Sequence, residues 1–287
     1  MKFATCEYKG RTYACVIIGN NVIRLSLLEC TKGIPDRDLL PFIEIADEKL
    51  LNSLKEEIES KNYNDLKLEE VRLRAPILRP PAVYCLGFNY KAHSVELKRK
   101  IPEEPIVFLK PSKAVIGPDD YIILPKVSKR VDYEVELAIV IGKGGRYIKK
   151  NEVYDRIFGY TILNDITARD IQEKDFMESK PWLRSKGFDT FAPIGPVIVT
   201  KDEIGIYPEL DLELRVNGEI RQKSNTREMI FDIPTIVEYI SSFTTLEPGT
   251  IIATGTPEKV GQLKDGDIVE AYIEKIGILR NKAIQEL

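Results

Sequence analysis

Apolar and polar positions alternate in short blocks along most of this chain, and only a few stretches carry the three-and-four spacing of a helix. Phe3–Tyr8, Thr12–Ile18 and Val22–Leu25 read as strands joined by turns at Lys9-Gly10 and Gly19-Asn20-Asn21. Glu48–Ser60 is helical in pattern, with Leu50, Leu51, Leu54 and Ile58 on one face, and Val71–Arg74 reads as one more strand. The proline-rich run from Ala75 to Pro81 is a stiff connector, so the pattern predicts a small N-terminal α+β module over 1–75 and a larger domain over 76–287. In the larger part, strands are expected at Ala82–Leu86, Ile106–Leu109, Tyr121–Leu124, Tyr133–Ile141, Phe158–Leu163, Val197–Thr200, Leu210–Val216, Glu219–Ser224, Thr250–Ala253 and Ile268–Ile276. Asn217-Gly218 between two of them suits a type I′ hairpin, because both residues tolerate positive φ. Helices are expected at Lys91–Arg99, Thr167–Glu178 and Pro234–Ser242, the last with Ile236, Val237 and Ile240 inward. Strands this numerous and short predict an α+β, β-rich fold, a barrel or rolled sandwich with peripheral helices.

Composition narrows the function. Lys plus Arg number 42 against 45 Asp plus Glu, a net charge of −3, which argues against nucleic acid as a partner. No apolar run approaches the roughly 18 residues of a membrane span, and the first residues lack a signal core, so a cytoplasmic location is expected. The single histidine, His93, excludes zinc or iron sites built on two histidines of one chain. Cys6, Cys15, Cys30 and Cys85 form no Cys-x-x-Cys pair and read as reduced thiols. There is no Gly-x-Ser-x-Gly elbow and no phosphate loop; Gly142-Lys143-Gly144-Gly145 reads as a hairpin turn. Interleaved Lys and Glu with frequent Ile and few Gln is a thermophile-like composition.

The candidate chemistry begins at Asp132–Ile141. In a strand, Glu134 and Glu136 share one face roughly 7 Å apart. Alternating acids ordinarily mark a solvated face, yet Ala138 and Val140 continue this face and Val135, Leu137 and Ile139 fill the other, the pattern of a strand buried on both sides. Carboxylates so placed repel unless a cation sits between them. Asp165, after the next strand, is a third acid, or else a helix cap before Thr167. Three carboxylates without imidazole or thiolate favour a hard cation, Mg²⁺ or Mn²⁺.

Three further groups stand out. His93 and Glu96 fall at i and i+3 of a helix; from spacing alone they read as a surface ion pair, and the same arrangement is what a general base needs. Lys110 and Lys186 face either solvent or a carboxylate substrate. The Thr254-Gly255-Thr256 turn offers N–H and hydroxyl groups to an anion.

Taken in order, GFNYKAH (87–93), FLKPS (108–112), DYEVELAIVIG (132–142), GYTILNDITARDIQ (159–172), KGFDTFAPIGP (186–196), VNGEIRQ (216–222) and TGTPEKVG (254–261) resemble the fumarylacetoacetate hydrolase family, notably its small acylpyruvate hydrolase and hydroxyheptadienedioate isomerase members. The resemblance runs from about residue 83 to the C terminus. It implies a rolled β-sandwich catalytic domain, a homodimer, and Mg²⁺ on Glu134, Glu136 and Asp165. It further implies that His93 and Glu96 activate water, that Lys186 faces the reacting keto acid, and that Arg169, Gln172 and Thr256 line or support the substrate site, with Lys110 in a supporting rank. Phe88 stands where relatives vary, which ties it to substrate identity. The N-terminal module carries none of these motifs.

The implied activity is hydrolysis of a C–C bond in a 2,4-diketo acid through a metal-stabilised pyruvate enolate. Oxaloacetate decarboxylation and double-bond isomerisation of a hydroxydienedioate use the same enolate site without water attack. A metal-stabilised binding protein that keeps the fold is the non-enzymatic alternative.

Overall fold

The computed structural model describes residues 1–61, 63, 65–92 and 101–287. Among them, twelve strands form one large mixed sheet, five form a second, and three short strands form a third. The large sheet is centred on Val135–Ile141, which pairs antiparallel with Ile157–Asn164 on one side and Ile251–Ala253 on the other. The architecture is α+β and strand-rich, as the patterning predicts.

Val135–Ile141 is buried along its whole length. Val135, Leu137, Ile139 and Ile141 pack in the same core cluster as Leu212 and Leu214 of Asp211–Val216 and Val269 and Ala271 of Ile268–Ile273, strands of the five-stranded sheet. Ala138 and Val140 face the opposite way into a cluster with Phe3, Val16, Phe42, Ile43 and Leu54. The N-terminal segment supplies that second cover. Its helices, Leu40–Ile45 and Glu48–Ser60, lie over the sheet, and its first strand, Lys2–Tyr8, pairs with Ala192–Thr200. Residues 1–75 and the rest of the chain thus share one sheet.

Local signals account for the elements that match expectation. Asp47 caps Glu48–Ser60 by accepting from the Leu50 N–H at 2.7 Å, and Asp232 caps Ile233–Phe243 through the Thr235 N–H at 2.9 Å. Asn217 (φ 52°) and Gly218 (φ 82°) both adopt positive φ at the hairpin between Asp211–Val216 and Glu219–Asn225. Cys6, Cys15 and Cys85 are buried free thiols and Cys30 is a half-buried one. Among the described residues, no helix is long and apolar enough to cross a membrane.

Three expectations are corrected. Tyr133–Ile141 is not one strand: Val131–Tyr133 belongs to the three-stranded sheet, and the chain changes sheets at Glu134. Residues 142–156 form a longer connection than a hairpin turn, with a short helix at Val153–Arg156 and a backbone bridge from Gly145 to Leu246. Thr167–Ala168 is a short strand, so the following helix spans Arg169–Met177. Of the expected Lys91–Arg99 helix, residues 93–99 lie outside the described residues.

Gly159 leaves no room for a side chain between two paired strands: a Cβ there would sit 2.3 Å from the Val199 carbonyl oxygen and 2.8 Å from Ile198 Cγ2. Gly159→Ala must push Ile157–Asn164 away from Ala192–Thr200, and is expected to cost about 1–3 kcal/mol, read as a lower midpoint in urea unfolding.

Candidate active site

The change of sheets at Glu134 creates the site. Side chains and a neighbouring loop hold the backbone there: the Glu134 N–H donates to Asn164 Oδ1 (2.9 Å), its carbonyl accepts from the Asp165 N–H (2.8 Å), and the Val135 N–H donates to Gln222 Oε1 (3.1 Å). Glu134, Glu136 and Asp165 are all buried, and one carboxylate oxygen of each lies within 4.8 Å of the other two. Asp165 caps no helix, since Arg169–Met177 starts with no side-chain cap.

Cations and N–H groups surround the acids. Lys186, from the short helix Leu183–Lys186, donates to Glu134 Oε2 at 2.9 Å and also binds Asp165 Oδ2. Lys110, at the end of Ile106–Lys110, pairs with Asp165 Oδ1 and donates to the Ile166 carbonyl at 2.9 Å. Arg169 pairs with Glu134 Oε1, donates to Asp132 Oδ2 at 2.9 Å and binds Gln172 Oε1. Glu136 Oε2 accepts from the Gly255 N–H at 2.8 Å, while its Oε1 is buried without a hydrogen-bond partner among the described residues. The turn expected to hold an anion therefore holds one of the protein's own carboxylates.

Burial, reinforced by Asp165 and Glu134, pushes the Glu136 carboxyl well above the usual range. The two lysines diverge. Burial lowers Lys110, and a single carboxylate partner beside the Lys186 charge does not restore it. Burial also opposes the Lys186 charge, but Asp165 and Glu134 together outweigh it and raise that lysine.

A cavity of about 120 Å³ opens over this cluster, with Glu134, Arg169, Gln172, Lys186 and Thr256 in its lining. Lys110 is fully buried on Asp165 and is not in that lining. His93 and Glu96 lie outside the described residues. The donor set, three clustered carboxylates with one orphaned oxygen, suits a hard divalent cation.

Sequence reasoning passed over several residues that hold the site. Gln222 is fully buried and is the hinge between two sheets: beyond its contact with Val135, its Nε2 donates to Thr256 Oγ1 and the Pro257 carbonyl, each at 3.0 Å. It comes from a strand reading Glu-Ile-Arg-Gln-Lys-Ser-Asn, where no apolar alternation marks an inner face. Asn164, at the end of Ile157–Asn164, and Asp132, in the middle of Val131–Tyr133, are buried polar residues that no local pattern singles out.

The fold and this cluster define the class. Residues 82–284 match the family described as Fumarylacetoacetate (FAA) hydrolase C-terminal, and the chain belongs to the fumarylacetoacetate hydrolase family. It is 45% identical over 222 residues to the mitochondrial oxaloacetate tautomerase Fahd2a of Rattus norvegicus, covering 75% of this chain and 70% of that one. Maleylpyruvate hydrolase from Sphingobium sp. SYK-6, solved with manganese(II) and pyruvate, superposes with a TM-score of 0.82 at 32% identity over the full length of both chains. The 2-hydroxyhepta-2,4-diene-1,7-dioate isomerase of Mycobacterium marinum gives 0.74 at 34% identity, covering 100% of this chain and 99% of that one.

Glu136→Gln is expected to weaken Mg²⁺ or Mn²⁺ binding by about 100-fold or more, beyond the range for outer-shell changes, while the protein stays folded by circular dichroism. Since the Glu136 carboxyl is held above its usual range, cation uptake should release a proton. Affinity is then expected to rise as pH climbs through that raised range and to fall below it. Calorimetry at several pH values, in two buffers of different ionisation enthalpy, measures both.

Proposed function

We propose that this chain hydrolyses a C–C bond in a 2,4-diketo acid of the acylpyruvate type, releasing pyruvate and a carboxylic acid. The observation that carries this reading is the convergence of Lys186 with three buried carboxylates at one cavity that Arg169, Gln172 and Thr256 also line. Mg²⁺ or Mn²⁺ held by Glu134, Glu136 and Asp165 would supply Lewis-acid charge to a 2-keto carboxylate.

The chain's own groups do the remainder. Lys186, kept charged by Glu134 and Asp165, stands where negative charge develops on the keto oxygen and stabilises the enolate. Arg169, on the helix Arg169–Met177, binds both Glu134, which lies between two strands, and Gln172 of its own helix, and so fixes the acid and the amide in one geometry at the cavity. The expectation for His93 and Glu96 is that they take a proton from water as it adds to the C4 carbonyl. The C3–C4 bond then breaks with its electron pair on C3, which takes up a proton to give pyruvate.

A second reading is tautomerisation of oxaloacetate, supported by the identity to the rat tautomerase. It needs proton transfer at C3 and no water. Pyruvate release from an acylpyruvate, and enol–keto interconversion of oxaloacetate followed by ultraviolet absorbance, separate the two when each is run with Mg²⁺ and with chelator. Mg²⁺-dependent pyruvate release is expected; accelerated interconversion without cleavage of the acylpyruvate would replace hydrolysis by tautomerisation. Lys186→Met is expected to lower kcat by about 10²–10³-fold, the usual cost of losing a group that stabilises developing negative charge.

A further inference from the structure

Four aromatic rings, Phe88, Phe108, Phe176 and Trp182, line the cavity together with the acid cluster's residues. Trp182 is their hub, with ring centroids 4.8 Å from Phe176, 5.4 Å from Phe108 and 5.9 Å from Phe88. All four are half-buried and all four line the cavity. Two backbone features hold this wall in place. Gly87 lets the Trp182 ring lie against the main chain, since a Cβ there would sit 2.8 Å from it. Phe88 adopts φ 58°, an uncommon conformation for a bulky residue, and the next residue pins it. Asn89 accepts from the Phe231 N–H at 2.7 Å and donates to the Thr254 carbonyl at 2.7 Å.

The wall starts beside the reacting end of the site. Lys186 Nζ lies 4.9 Å from the centre of the Phe108 ring. Among the described residues, the cations in the lining are Arg169 and Lys186, both committed to Asp132, Glu134 and Asp165, and the lining also holds the exposed acid Glu173. A substrate anchored at the acids by its 2-keto carboxylate would run its far end along these four apolar rings. A second carboxylate loses hydration there with no uncommitted cation among the described lining residues to receive it, while a flat uncharged group packs against the rings.

We propose that Phe88, Phe108, Phe176 and Trp182 seat the distal group of the substrate and select an uncharged planar tail, aryl or conjugated, over a second carboxylate. The inference rests on the 2-keto-acid reading of the site and adds its substrate class.

Trp182 is the only tryptophan in the chain, so its fluorescence reports occupancy of the wall directly. The test titrates the Mg²⁺-saturated protein with 2-oxobutanoate, 2-oxoglutarate and 4-phenyl-2-oxobutanoate, by fluorescence and by calorimetry. The phenyl compound is expected to bind at least fivefold tighter than 2-oxobutanoate and to change Trp182 emission, with 2-oxoglutarate no tighter than 2-oxobutanoate. Phe176→Ala, with Phe176→Leu as the milder variant, should shrink the phenyl-to-butanoate affinity ratio at least threefold. A phenyl preference below fivefold, tighter binding of 2-oxoglutarate, or a ratio unmoved in the folded variants overturns the proposal while 2-oxobutanoate still binds. If 2-oxobutanoate itself does not bind, the 2-keto-acid reading falls, and this inference with it.

Discussion

Three carboxylates packed within 4.8 Å of one another, all out of solvent, set a demand that the surrounding structure is arranged to meet. At an effective dielectric of about 20, each pair of full charges at that spacing repels by about 3–4 kcal/mol. The chain answers with graded compensation. Lys186 bridges Glu134 and Asp165, Lys110 holds Asp165 from its other oxygen, Arg169 ties Glu134 to Asp132, and one backbone N–H serves Glu136. Glu136 receives the least, and its buried unpartnered oxygen marks where a cation would complete the balance.

Placing the acids there has its own structural requirement. Glu136 is buried deeply because its strand is covered on both faces: Val135–Ile141 has the five-stranded sheet on one side and N-terminal residues on the other. The N-terminal segment carries no site residue, yet Phe3, Phe42 and Leu54 help make the floor of the catalytic part dry. Its first strand extends the same sheet, so the two regions share backbone hydrogen bonds as well as side-chain contacts.

Much of this was legible in the residues themselves. The helix at Glu48–Ser60, the Asn217-Gly218 hairpin and the double-sided burial around Glu136 follow from local periodicity and turn chemistry. What escaped depends on partners distant in the chain. Gly277–Gln285 is a long strand that pairs antiparallel with Ile268–Ile273 across a tight turn and parallel with the distant Tyr121–Leu124; its inner face is Leu279, Asn281 and Ala283 while Ile278 is exposed on the other, so apolar alternation does not announce it. The break at Glu134 is invisible because Tyr133 and Val135 both favour strands; Asn164 and Gln222, brought in from elsewhere, take the hydrogen bonds that a continuous ladder would use. Acid positions were readable from alternation, but Lys110 and Lys186 differ only in what the fold sets beside them.

Gln222 reaches inward because of a bulge. Opposite Leu214 and Arg215 the register of Asp211–Val216 against Glu219–Asn225 slips, so that Leu214 faces Gln222 while Arg215 faces Ile220. That extra residue selects which side chain of an otherwise polar, largely exposed strand turns into the protein. Length between the turn and the bulge is therefore a coordinate of the site: one residue more or fewer would present Arg221 or Lys223 in place of the amide, putting a charge against the Val135 N–H and the Thr256 hydroxyl. The exposed hairpin tip, already held to residues that tolerate positive φ, is closed to change in length as well.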